Sequence, residues 1–271
     1  MRLYSAVMIF FSPTGSTAAV VRATARGMGI IDCREVDLTL PPARADFSGL
    51  CEEDVVLLGA PVHDGALPQA LAQALSRLWA VGQPALLCAT YGGLGCGSAL
   101  RDLHAAATKA RLRPVAAGLF PSEHPLRPCR GNPRPDDHDL AIARELGFDA
   151  RFRLERGAAM PMQLTQPNRR APCLPQRGWP PGTLRAVSPR RLLPVPEVTL
   201  ACTGCGLCAQ GCPTAAISMP GVDIDNDTCI RCMRCVDLCP EGALLPMPGG
   251  LPGRLAAALR RKAVPADTVL L

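Results

Sequence analysis

The chain has 271 residues, 48 % of them apolar and only 4 % aromatic, and carries a formal charge of +6. That length suits one large domain plus a smaller one, with Ala, Leu and Val supplying most of the packing. The basic residues are scattered, with no long Lys/Arg run and no interleaved aromatics, which argues against nucleic acid as a partner. No segment reaches about 18 uninterrupted apolar residues, so no membrane span is expected.

The predicted elements alternate along the first 150 residues. A buried strand is expected at 3–11, a helix at 17–28 and a second strand at 30–36. The stretch 38–50 is too Pro-rich to predict as helix. Strands follow at 54–60, 84–91 and 114–120, separated by Ala-rich helical segments at 68–79 and 98–111. A last helix is expected at 136–147, with Asp136, Asp137 and Asp139 as its polar start. This alternation predicts an α/β fold over 1–150, a doubly wound parallel sheet of five strands. Residues 151–198 are rich in Pro and Arg and read as an interdomain connection. A cysteine-rich module occupies 199–246. The tail, 247–271, has a predicted helix at 251–262, where Arg260, Arg261 and Lys262 suit the C-terminal end of the helix dipole.

The first strand runs into a helix through Phe11-Ser12-Pro13-Thr14-Gly15-Ser16-Thr17. Hydroxyls and a glycine at such a turn suit a phosphate, because the helix start offers free N–H groups and the positive end of the dipole. The alternative is an ordinary helix cap. No Lys follows as in a P-loop, so a triphosphate with Mg²⁺ is not expected.

The 14 cysteines need a separate explanation. The apolar start at 3–11 lacks a cleavage site, so the sequence predicts no signal peptide, a reducing cytoplasm and metal ligation in place of disulfides. Eight of the cysteines fall in two copies of one spacing. The first is Cys202-x2-Cys205-x2-Cys208-x3-Cys212-Pro213 and the second Cys229-x2-Cys232-x2-Cys235-x3-Cys239-Pro240. The likeness continues past the prolines, where Ala216-Ile217 matches Ala243-Leu244, which marks an internal repeat. Each iron of a [4Fe–4S] cube needs one thiolate, and three cysteines two residues apart wrap a loop around three corners. Gly204, Gly206 and Gly211 are expected to let the first loop pass close to its cluster. Zinc also accepts four cysteines, but usually from paired C-x2-C units. Cys33, Cys51, Cys88, Cys96, Cys129 and Cys173 show no ligand spacing and are expected to act as small hydrophobes. Cys96 stands apart because it follows a sheet-edge loop.

Residues 199–246 resemble bacterial-type ferredoxins with two [4Fe–4S] clusters. In such proteins the cysteine before proline ligates the other cluster. The resemblance therefore implies one set of Cys202, Cys205, Cys208 and Cys239, and another of Cys229, Cys232, Cys235 and Cys212. The order Ser-x-Thr-Gly-x-Thr after the first strand resembles the FMN phosphate loop of flavodoxins, whose ligand sits at the switch point of the sheet. Ser12, Thr14, Gly15 and Thr17 match that pattern, and Ser16 fills its variable slot while offering a backbone N–H. The loops Pro61-Val62-His63-Asp64-Gly65 and Thr90-Tyr91-Gly92-Gly93 fall where a flavin ring would sit. The resemblance makes Pro61, Val62, His63, Thr90, Tyr91 and Gly92 its expected neighbours, with Tyr91 as the covering aromatic. His63 stands where related fusions commonly have Tyr.

Taken over most of its length, the chain resembles flavodoxin–ferredoxin fusion proteins, including at Ser122-Glu123-His124 and Arg134-Pro135-Asp136-Asp137. This implies a flavodoxin-like domain followed by a small α+β two-cluster ferredoxin-like domain. It also implies an electron carrier working between two [4Fe–4S] clusters and bound FMN, with a redox partner protein and no catalytic residue of its own. One alternative is a flavin-dependent reductase of a small substrate, with His63 or Tyr91 as proton donor. Another is an iron–sulfur redox module whose first domain has lost FMN.

Overall fold

The structure is a computed structural model that describes residues 3–49, 51–92, 97–123, 133–162 and 195–246, together with the backbone of 268–270. Strands β1 (Ser5–Phe10), β2 (Asp32–Asp37), β3 (Val55–Pro61), β4 (Pro84–Tyr91) and β5 (Arg113–Pro121) pair in parallel in the order 2-1-3-4-5. That is the flavodoxin-like order, with its switch point between β1 and β3. The central strands are almost wholly buried, as expected for a sheet covered on both faces. The edge strand β2 is half exposed and carries Asp32, Arg34 and Glu35 outward.

Two apolar layers hold the sheet. One face packs against α1 (Ser16–Met28) and α5 (Asp137–Glu155), through residues such as Phe10, Leu57, Val21 and Leu146. The other packs against α3 (Gln69–Leu75) and α4 (Ala99–Lys109), through Phe11, Leu58, Leu71 and Leu103. The Pro-rich stretch after β2 does form a short helix, α2 (Pro41–Asp46), because Pro is tolerated in a first turn that needs no N–H donor.

Helix α5 runs eight residues past the expected end at 147. Gly147 is not a stop signal. A Cβ there would lie 2.0 Å from the Thr24 carbonyl oxygen, and one on Gly27 would lie 1.9 Å from that of Arg144. The two glycines let α1 and α5 cross with their backbones nearly touching. The helix start is as expected: the Asp136 and Asp139 side chains cap each other's backbone N–H groups, and buried Asp139 also takes both Arg134 Nε and Nη2. The first unit therefore continues past residue 150, at least to Met162, whose N–H donates to the Pro114 carbonyl (2.8 Å).

The cysteine module has little regular structure. Strand β6 (Glu197–Val198) pairs with β9 (Leu244–Leu245), and β7 (Ile217–Ser218) with β8 (Asp223–Ile224). Its one-turn helices are α6 (Leu207–Gln210) and α7 (Arg234–Asp237). A last strand, β10 (Thr268–Leu270), lies antiparallel to β5 at the sheet edge. The connection at 163–194 and the predicted tail helix at 251–262 lie outside the described residues.

Candidate functional site

The two cysteine repeats fold as copies of one unit. Each places a short helix after its second cysteine, α6 in one and α7 in the other. Each turns through left-handed backbone at matching positions: Gly204 and Gly206 at φ 71° and 79°, Arg231 and Met233 at φ 55° and 60°. Glycine adopts this conformation freely, whereas other L-residues strain in it. In the second repeat the strain is held by contacts. Arg231 is buried, and its guanidinium bonds the Asn226 carbonyl (2.7 Å) and the Cys229 carbonyl. Gly211 has a different task from the one expected. A Cβ there would lie 2.2 Å from Leu238 Cδ1, so the glycine makes room for the other repeat.

The shared dipeptide after each proline also has a structural role. The Ala216 N–H donates to Cys212 Sγ and the Ala243 N–H to Cys239 Sγ, both at 3.2 Å. Such N–H···S bonds are among the features that tune cluster potentials.

The thiols gather across the repeats. Cys202, Cys205, Cys208 and Cys239 line one small cavity backed by Val222 and Leu244. Cys212 lies instead with the second triplet. Burial, reinforced by the charges of Cys229 and Cys212, pushes Cys232 and Cys235 up to about 12. Burial also raises Cys208, helped by Cys202 and Cys205. Buried thiols of this kind lose their protons only to a strongly positive partner, and a bound metal deprotonates a thiol outright. Among the described residues, no three Cys, His, Asp or Glu side chains converge on a point suited to a single metal ion. Four thiols around one small cavity, Cys212 beside the second triplet, and N–H donors at the Cys212 and Cys239 sulfurs fit iron–sulfur cubes.

The loop 12–17, expected to take a phosphate, sits at the β1/β3 edge and is braced from beneath. The Ser12 N–H donates to Thr39 Oγ1 (2.8 Å), and the Thr39 hydroxyl donates to Asp37 at the end of β2. Ser12 Oγ accepts from the Ala18 N–H (3.0 Å), and Thr17 Oγ1 shares a hydrogen bond with Thr90 Oγ1 (2.8 Å). The Ser12 and Thr17 hydroxyls thus serve the scaffold. Thr14 and Gly15 are exposed and Ser16 is half-buried. Gly15 starts the helix at φ 86°, with open space where a Cβ would be. Ser16 and Thr17 begin α1, so no carbonyl one turn back accepts their N–H groups. An exposed glycine turn with such donors at a helix start fits an anionic phosphate.

The ring-side loops differ from expectation. Pro61, Val62 and His63 are half-buried, and His63 and Ala66 exchange backbone bonds (3.0 and 2.9 Å) across a tight turn at Asp64 and Gly65. The Val62 N–H donates to the Thr90 carbonyl (2.7 Å), tying the two loops together. Thr90 is buried, and Tyr91 is only 4 % exposed. The Tyr91 carbonyl accepts from the Ser122 N–H (2.8 Å). Tyr91 is therefore part of the packed strand end and not an open ring face. Gly92 is half-buried, while Gly93 and Cys96 lie outside the described residues. Cys51 and Cys88 are buried, and burial pushes both up to about 11, so they are neutral apolar side chains as expected. Cys33 is half-buried, and Cys129 and Cys173 lie outside the described residues.

What the sequence did not reveal is that the two regions touch at these sites. Arg44 stands over the Phe11 ring and donates to the Leu38 (2.9 Å) and Thr39 (2.6 Å) carbonyls and, across the boundary, to Pro213 (2.5 Å). Arg234 donates in the other direction, to the Pro13 carbonyl in the loop between β1 and α1 (2.6 Å). Ile230 packs on the sheet-face cluster that contains Phe11 and Leu38. Burial, then the charge of Glu123, raises the Asp237 carboxyl, with Arg234 opposing.

The chain joins a flavodoxin-like α/β domain to a 4Fe-4S dicluster domain. Residues 201–243 match the family model of that name, and a flavodoxin–ferredoxin fusion fits both parts. Solved structures with likeness to the chain include an archaeal flavodoxin, 14 % identical over 56 % of this chain and 99 % of that one, TM-score 0.39. A flavodoxin, WrbA-like protein of Agrobacterium tumefaciens is 16 % identical over 56 % and 98 %, TM-score 0.41. The apo form of an NADH:FMN oxidoreductase is 19 % identical over 55 % and 89 %, TM-score 0.43. No curated protein matches the chain. The match supports [4Fe–4S] clusters and an iron–sulfur electron-transfer role, which implies a redox partner. No helix among the described residues is long and apolar enough to cross a membrane.

Proposed function

We propose that this chain passes electrons between two [4Fe–4S] clusters and a bound FMN. The observation that carries the reading is the hydrogen bond from Arg234, between two cluster cysteines, to Pro13 in the phosphate loop. It brings the cluster module against the flavin end of the sheet. Cys202, Cys205, Cys208 and Cys239 hold one cluster, and Cys229, Cys232, Cys235 and Cys212 the other. The clusters supply single electrons, and FMN takes one or two, so the chain joins one-electron and two-electron traffic. Thr14, Gly15 and Ser16, with the Thr17 N–H, bind the phosphate. The loops at 61–63 and 90–92 border the ring, and the buried hydroxyls of Ser12, Thr17 and Thr90 keep the loop in shape.

The test begins with composition. Anaerobically purified protein should hold about eight irons, about eight acid-labile sulfides and one FMN. Thr14→Val should weaken FMN by about 10- to 100-fold, through loss of one charge-assisted bond, and leave riboflavin binding unchanged. Four irons, zinc, or a colourless first domain would refute the proposal. Equal losses for FMN and riboflavin would show that the loop had collapsed.

A further inference from the structure

We infer that the two clusters have different places in the electron path. The one held by Cys229, Cys232, Cys235 and Cys212 exchanges electrons with the flavin, and the one held by Cys202, Cys205, Cys208 and Cys239 is the outward port. The inference rests on the flavin and cluster assignments proposed above.

Among the described residues, the packing and hydrogen bonds that join the cluster module to the sheet domain come from the loops of one cluster, and Asp237, two residues past Cys235, meets the charge of Glu123. Ile230 lies between Cys229 and Cys232 and packs on the sheet domain's core. Arg234 lies between Cys232 and Cys235 and bonds Pro13 of the phosphate loop. Pro213 follows Cys212, the fourth cysteine of the same set, and its carbonyl takes Arg44. The other set faces away. Cys202 and Cys205 are exposed, and Leu200 and Leu207 beside them are exposed as well. Electron transfer through protein falls off steeply with separation. The near cluster is therefore the flavin's partner, and the exposed one meets a donor or acceptor from solution.

The transfers balance simply. A low-potential one-electron donor reduces the outward cluster. That cluster is reoxidised as it reduces the inner one, and the inner cluster is reoxidised as it reduces the flavin. Two such passages, with two protons from solvent, complete a two-electron reduction of the flavin. No covalent bond to the protein forms or breaks, and the reverse direction uses the same order.

Two measurements on the full-length holoprotein test the order. In the first, Arg44→Gln and Arg234→Gln are combined and the protein is mixed anaerobically with reduced methyl viologen. The clusters should be reduced at the wild-type rate, whereas flavin reduction should slow by about tenfold or more as the docked population falls. Hydrogen exchange should rise at 12–17 and 38–44 and stay unchanged at 200–207, which separates undocking from unfolding. In the second, a soluble gadolinium chelate is added to the reduced wild type. It should relax the EPR signal that Cys205→Ser alters and spare the signal that Cys232→Ser alters. Equal relaxation of both signals, or wild-type flavin reduction in the undocked variant, would overturn the order while leaving the flavin reading intact. Absence of flavin from the wild type would overturn both, and is recognised by its spectrum alone.

Discussion

The sheet domain and the cysteine module are held together by different physics, although both are rich in the same small residues. The sheet domain has two continuous apolar layers, with side chains such as Phe10, Phe11, Leu57 and Leu86 fully buried. The module's strands are two residues long, and its core is Ala216, Ile217, Val222 and Leu244 among cysteines. Below about 70–80 residues a hydrophobic core alone rarely suffices, and staples or metals make up the difference. The cysteines show the contrast most directly. In the sheet, buried Cys51 and Cys88 keep their protons and act as apolar filler. In the module, buried Cys208, Cys212, Cys232 and Cys235 lie among further thiols instead of among apolar side chains alone.

The largest effect that would break this comparison is iron removal. Stripping the clusters under anaerobic chelation should abolish hydrogen-exchange protection across 195–246, because the ligand bonds are most of that module's folding energy. The sheet should keep its protection. A module that stays protected without iron would show that its small core suffices.

A smaller effect should appear in the opposite region. Gly147→Ala puts a Cβ against the Thr24 carbonyl, which must move. Overpacking should exceed the roughly 1 kcal/mol that alanine gains in helix propensity, for a net loss of about 2 kcal/mol. Thermal unfolding of the sheet should come roughly 4–8 °C earlier, with the cluster absorbance unchanged until the sheet melts.

The third effect, confined to alkaline pH, is a pH dependence. Cys88 titrates near 11 when folded, above the ~8.5 of an unfolded thiol. The unfolded chain therefore loses this proton first, and the buried thiol's contribution is complete below about pH 8.5 and gone once pH passes about 11. Sheet stability should fall between these limits by at most about 1.4 kcal/mol per pH unit for this one group. Cys88→Ala should flatten that slope, as read from urea unfolding at pH 8.5 to 10.5. An unchanged slope would mean that other groups set the alkaline limit.

The features legible in the sequence were those set by local period and spacing. Alternating buried strands and Ala-rich helices led to the parallel sheet, and the repeated cysteine spacing led to the two thiol sets. What stayed hidden depends on neighbours distant in the chain. Gly147 looks like a helix stop until α1 is seen pressed against it. Tyr91 looks like a flavin cover until the strand end is seen to enclose it. Thr17 looks like a phosphate ligand until Thr90 is found 2.8 Å away. Arg44 and Arg234 carry no motif at all, because each bonds a backbone carbonyl in the other region and a carbonyl leaves no trace in residue type.

The strand β10 has one more consequence. It follows the cysteine module in the chain, yet it pairs with Leu119, Gly118 and Ala117 of β5. The module is thus an insertion in the sheet domain, anchored at both of its ends. Cutting the chain anywhere between 163 and 194 would leave it attached through its other anchor. Two anchors also keep the local concentration of the module at its docking surface high even when that surface opens.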